Sequence, residues 1–181
     1  MFETMALLTA LALGTVVSGE PKATSLHSAQ TGHFDLALPA EQAFPLFSPE
    51  GERFWVEGWD PNPVDPADKG VRWSSNTVFT LDHQGEHSTW WIVEVDRGAH
   101  KADYVYVVTG SRAVRVTVKV TAQDANHCRV EVIYRMTALT PTGAKYVSEA
   151  TDAQMIHKML HWKQSIEEAL ARHGGVAPNE Q

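Results

Sequence analysis

DAQMIHKMLHWKQSIEEALARH, residues 152–173, is the stretch on which the reading of the fold turns. Met155, Met159, Trp162, Ile166 and Ala169 recur at steps of four, three, four and three, with Ile156 and Leu170 flanking that line. This is the stripe of an α-helix with one buried face. The opposite side carries Gln154, His157, His161, Gln164, Glu168 and Arg172, and Gly174 and Gly175 follow where a left-handed C-terminal cap is expected. Such a helix is about 33 Å long at ~1.5 Å per residue. It needs a sheet to lie on.

Upstream, a shorter stripe of Tyr146, Val147 and Ala150 follows Thr140-Pro141. Its apolar direction is rotated from the Met155–Met159–Trp162 line by over a third of a turn, at ~100° per residue. Two helices, or one with a sharp kink, are therefore expected, with Thr151 or Asp152 capping the second.

The sheet is legible before that. Val114, Val116, Val118 and Val120 alternate with Arg115, Thr117, Lys119 and Thr121. Cys128, Val130, Val132, Tyr134 and Met136 alternate with polar neighbours in the same way. Residues 76–81 and 102–109 read as further strands, the second with Tyr104, Tyr106 and Val108 inward. In residues 87–96, Glu94 and Asp96 mark a wet face, so Thr89, Trp91, Val93 and Val95 are expected to point in. Turns this short join antiparallel neighbours. Residues 33–38 form a first strand, 40–47 a short helical piece, and 62–69, with Pro63 and Pro66, a loop.

The chain has 181 residues, 43% hydrophobic and 20% charged, which fits one globular domain. Its net charge of -7 argues against nucleic acid as a partner, because phosphate binding needs a basic footprint. The single cysteine, Cys128, excludes an intrachain disulfide and a cysteine zinc cluster. Residues 5–17 are an apolar run too short to span a bilayer and of the length of a secretory signal core. Against that, Glu3 precedes the run and no Lys or Arg does. The protein is exported or periplasmic if residues 1–19 are a signal, and cytoplasmic otherwise. The organisation expected is a signal-like segment and linker over 1–30, the folded domain over 31–175, and a tail over 176–181.

The element order resembles the α+β helix-grip fold of the START-like, or SRPBCC, superfamily. There a curved antiparallel sheet wraps a long C-terminal helix. The detailed likeness lies in FPLFSPEGERFWVEGWDP, residues 44–61, in YRMTALT, residues 134–140, and in Trp162 within the last helix. These are similar to a bacterial branch of polyketide cyclase/dehydrase-like SRPBCC proteins, to which no agreed activity attaches. The resemblance covers about residues 31–173. It implies a cavity between sheet and helix that takes an apolar ligand.

Candidate ligand contacts are Trp55, Trp59, Trp91, Tyr104, Tyr134, Met136, Met155, Met159 and Trp162, bulky side chains converging from separate segments. Met159→Trp is expected to fill the cavity. Trp55, Trp59 and Asp60 either form a mouth over it or plug the core, with Asp60 bonding its own turn. His157 and His161 have metal-ligand spacing, but they lie on the polar face and no HExxH surrounds them, so no metal and no cofactor is called for. Cys128 sits mid-strand among valines, as an inert thiol does. Tyr104, Tyr106, Tyr134 and His87 are the proton donors an acid–base role would draw on, and tyrosines equally serve as core residues.

Three functions stay open. One is a binder of an apolar small molecule such as a lipid, an isoprenoid or an aromatic polyketide. The second is a cyclase or dehydratase using the same cavity. The third is a filled scaffold working at its surface. A cavity of ~300 Å³ or more with a stranded polar group favours the enzyme. A purely apolar one favours the binder, and none favours the scaffold.

Overall fold

The computed structural model describes residues 26–65 and 72–174. The signal-like segment, the far end of the proline loop and the tail fall outside them. The elements run β1 (His27–Leu36), α1 (Ala40–Ala43), a 3-10 helix (Phe44–Phe47), α2 (Pro49–Glu52) and β2 (Asn62–Asp65). Then come β3 (Val78–His83), β4 (Glu86–Asp96), β5 (Lys101–Val108), β6 (Arg112–Ala122), β7 (Cys128–Ala138), α3 (Pro141–Glu149) and α4 (Asp152–Arg172). Seven antiparallel strands form one curved sheet in the order β1-β7-β6-β5-β4-β3-β2. The first strand closes the meander by pairing with the last.

Alternation decides which face the sheet buries. Val114, Val116, Val118 and Val120 are all buried on β6, as are Cys128, Val130, Val132, Tyr134 and Met136 on β7. The two helical stripes are two helices. Thr151 caps α4 with a full capping box: its hydroxyl accepts from Gln154 N, and the Gln154 side chain accepts from Thr151 N. Met155, Met159, Ile166 and Ala169 are buried, and His157 and His161 are exposed. The helix lies over β1. Gly32 permits this approach, since a Cβ there would meet Met159 Cγ at 2.5 Å and Met155 Cε at 3.0 Å.

Three expectations are corrected. Strand β1 begins at His27, so residues 27–30, expected in the linker, pair with Thr137 to Tyr134 of β7. Residues 62–65, expected as loop, form β2. That strand is at the sheet edge, where Pro63 forfeits no ladder bond to a further neighbour.

The third correction is in β4. Trp91 is 52% exposed and Val93 41%, while Ile92 is fully buried and Trp90 packs against the core. The pairing with β5 jumps between Ile92 and Glu94, leaving Val93 as an extra residue. A bulge inverts the inward parity. Glu94 and Asp96 do mark the wet face and Val95 does pack inward, but the inference does not carry across Val93. Trp90→Ala is therefore expected to cost about 2 kcal/mol, less than a fully enclosed tryptophan. Trp91→Ala should stay within about 0.5 kcal/mol of wild type. Urea unfolding of both checks the register; equal losses would contradict it.

Asp103 of β5 lies on the outer face opposite Thr117, yet it is only 1% exposed. Burial works to raise its pKa, but hydrogen bonds from Thr117, Arg115 and Lys101 outweigh that and hold the carboxyl below its usual range.

Candidate functional site

Between the sheet and α4 lies a cavity of about 470 Å³. One wall is an aromatic ladder built by strand register. Phe79, Trp90 and Tyr106 are direct neighbours on β3, β4 and β5. Trp90 stacks on Tyr106 at 4.3 Å and on Phe79 at 5.7 Å. Val116 and Val118 of β6 form the floor, and Lys158 and Trp162 reach in from α4.

The motif FPLFSPEGERFWVEGWDP shapes one end. Ser48 caps α2: its Oγ accepts from Gly51 N at 2.8 Å and donates to Pro45 O at 2.8 Å. A Cβ at Gly51 would overlap the Pro45 carbonyl oxygen, so only glycine permits this tight fold-back. Arg53 pairs with Glu50 and Asp60 and donates to Pro61 O. Asp60 thus braces Arg53 instead of its own turn. Trp55 Nε1 donates to Leu46 O and Trp59 Nε1 to Pro49 O. The motif is a braced knot, and Glu52 is the carboxylate it turns into the cavity.

Glu52 is the cavity carboxyl that the sequence did not single out. Its side chain has no hydrogen-bond partner among the described residues, and burial holds its carboxyl well above the usual carboxylate range. The residue keeps some accessible surface because it lines the void. The one signal available was its place inside the motif. Tyr134 stands near it. Burial first, then the neighbouring Tyr106 and Glu52, push the Tyr134 hydroxyl well above its usual range. The Tyr134 hydroxyl is therefore a neutral hydrogen donor at pH 7, and the same burial favours the protonated form of Glu52.

At the other end Arg112, 2% exposed, pairs with Glu86 through both terminal nitrogens and lies 3.5 Å over the Tyr146 ring. Lys158 Nζ sits 4.2 Å over the Tyr134 ring. Burial foremost, and Arg112 next, lower its pKa. A second cavity of about 410 Å³ shares Tyr106, Tyr134, Tyr146, Lys158 and His161 with the first.

Of the residues expected at a ligand, Trp59, Tyr104, Tyr134 and Trp162 line the main cavity, while Met136 and Met155 line the second. Trp55 is buried behind Trp162, edge-on at 5.3 Å. Trp91 is corrected to the outer face; Trp90 takes its place. Met159 is corrected to the helix contact with Gly32, outside both cavities, so a plug there would strain β1 and leave the void open. The Tyr104 hydroxyl is already committed, donating to Phe47 O and accepting from Trp73 Nε1. His87 is exposed and bonded to Asp82. Cys128 is buried, with its thiol pushed up to about 11. Among the described residues no cluster of three or more His, Cys, Asp or Glu is placed to hold a metal, and no helix is long and apolar enough to cross a membrane.

No family model and no curated protein matches the chain. Solved structures do. Norcoclaurine synthase of Thalictrum flavum, in complex with a transition-state analogue, is 12% identical over 84% of this chain and 99% of its own, with a TM-score of 0.59. Ara h 8.0201 is 14% identical over 80% and 99%, TM-score 0.56. The chain shares the α+β helix-grip fold of these structures, a curved antiparallel sheet around a long C-terminal helix. The di-domain ARO/CYC BexL of the BE-7585A biosynthetic pathway shares it too, at 15% identity over 77% of this chain and 46% of its own, TM-score 0.59. Identities this low carry the fold alone.

Proposed function

We propose that the cavity receives a small, largely apolar molecule with an aromatic body, and that Glu52 moves a proton on it in chemistry of the cyclase or dehydratase kind. The observation that supports this is the unpartnered Glu52 carboxyl facing an aromatic-walled void of about 470 Å³. A simple binder of lipids or isoprenoids has no need of such a group, because a buried polar atom without a partner costs about 1–3 kcal/mol. A carboxyl that stays protonated near neutral pH is what general acid catalysis requires. Tyr134, also protonated, would hold a carbonyl or phenolic oxygen in place beside it. The synthase and the ARO/CYC protein on the same fold lend this reading an analogy of architecture.

Occupancy is tested first. Fatty acids, isoprenoids and aromatic polyketides are titrated against tryptophan emission, since Trp59, Trp90 and Trp162 line the cavity. An aromatic polyketide should saturate the signal. Val118→Phe should weaken it about tenfold. That residue is on the floor, its strand neighbours Ala102 and Val132 leave room on the sheet, and phenylalanine adds no indole. The strain cost is about 1–3 kcal/mol. If no class saturates wild type, or the variant binds equally well, the cavity reading falls and a surface-acting scaffold remains.

A further inference from the structure

The cavity holds two cationic side chains. Arg112 is matched by Glu86, and Lys158 makes no ion pair among the described residues. Among the described residues no carboxylate pairs with it and no hydrogen bond is made to it. It lies over the Tyr134 ring, shares its pocket with Tyr106, Tyr146 and the exposed Glu149, and feels Arg112 as a like charge. Arg112 adds a further unmet donor: its Nε is buried without a partner.

A lysine is free to extend into water from a helix, as Gln154 and His157 of α4 are exposed to it. Lys158 instead lies along the tyrosine wall between the two cavities. An unpaired ammonium in such a place is destabilised by desolvation and by a like charge. Both penalties reverse when an anion arrives.

We infer that the ligand carries an anionic oxygen group, a carboxylate or the enolate or phenolate of a polyketide-like body, seated against Lys158 at the Arg112 end, with its aromatic part along Phe79, Trp90 and Tyr106. This rests on the small-molecule reading above. It assigns the molecule an orientation: acidic head at Lys158, and the atoms that exchange a proton toward Glu52. Tyr134 lies between the two ends. Among the described residues no ion pair joins Lys158 to Glu52.

The test compares two neutral-shape twins, 2-naphthoate and 2-naphthamide, by calorimetry at pH 7. Wild type is expected to bind the carboxylate about tenfold more tightly than the amide. Lys158→Met keeps length and apolar volume but removes the charge, and should bring the ratio of the two affinities to about one. Lys158→Arg should retain the preference. Equal affinity of wild type for the two probes, or a preference that survives Lys158→Met, overturns the inference and leaves the cavity reading standing. Binding of neither probe by wild type removes both.

Discussion

Glu52→Gln is expected to lose turnover while the protein becomes harder to unfold. A positioned general acid contributes about 10²–10⁴-fold, and glutamine keeps shape but cannot release a proton. The stability effect has a pH signature. The ordinary glutamate value is 4.5, and burial raises the folded-state value well above it. Below that ordinary value the carboxyl is protonated in folded and unfolded chains alike, so ionisation contributes nothing. As pH rises through it, the unfolded chain ionises while the folded one stays protonated. Wild type then loses stability until the pH passes the folded value. Glutamine does not titrate. The advantage of Glu52→Gln should therefore open above about pH 4.5 and widen until the pH passes the folded value. A gain of about 1 kcal/mol raises the melting temperature by about 2–4 °C for a chain of this size. Thermal unfolding at pH 4, 6 and 8 reads it, with turnover of any ligand that saturates the cavity measured alongside. An advantage that is the same at all three values would mean Glu52 is ionised in the folded protein, and the acid role would go with it.

Gly51→Ala should be the most damaging single methyl group in the N-terminal half. The Cβ would overlap the Pro45 carbonyl and crowd Ser48 Oγ at 2.8 Å. Neither is the loose end of a flexible side chain. Relief requires shifting the 3-10 helix, whose Phe44, Leu46 and Phe47 are buried and whose Phe47 carbonyl takes the Tyr104 hydroxyl. The cost should reach about 3 kcal/mol, at the upper end for overpacking, or about 6–12 °C in melting temperature. Because α2 carries Glu52, cavity binding should weaken as well. Gly85→Ala is the control. That glycine has φ of 80° in the β3–β4 hairpin, but nothing lies within 4 Å of a Cβ there. It should cost only the backbone strain, about 1–2 kcal/mol, and leave binding intact. Melting of Gly51→Ala alongside wild type would show that the knot is not what holds the cavity end.

Residue order alone determined the architecture, because the signals involved are local. The valines of β6 and β7 repeat every two residues, and α4 repeats at helical spacing over nearly six turns. The break at Thr151 follows from a rotation of the apolar stripe that one straight helix cannot absorb. Short turns then leave antiparallel pairing as the simplest connection. The candidate site was only partly legible, for three physical reasons. Parity within β4 depends on a bulge, and a bulge exists only relative to the partner strand, so Glu94 and Asp96 could not report on Trp91. A helical wheel separates buried from exposed faces but does not say what each buried residue meets. Met159 meets Gly32, and its neighbour Lys158, turned by about 100°, reaches the void. Glu52 reads in sequence as one more acidic residue at a helix start. Only when α2 folds back over Gly51 and closes the end of the sheet does that carboxyl leave water, and burial without a partner, a property of the assembled fold, is what gives it a chemistry.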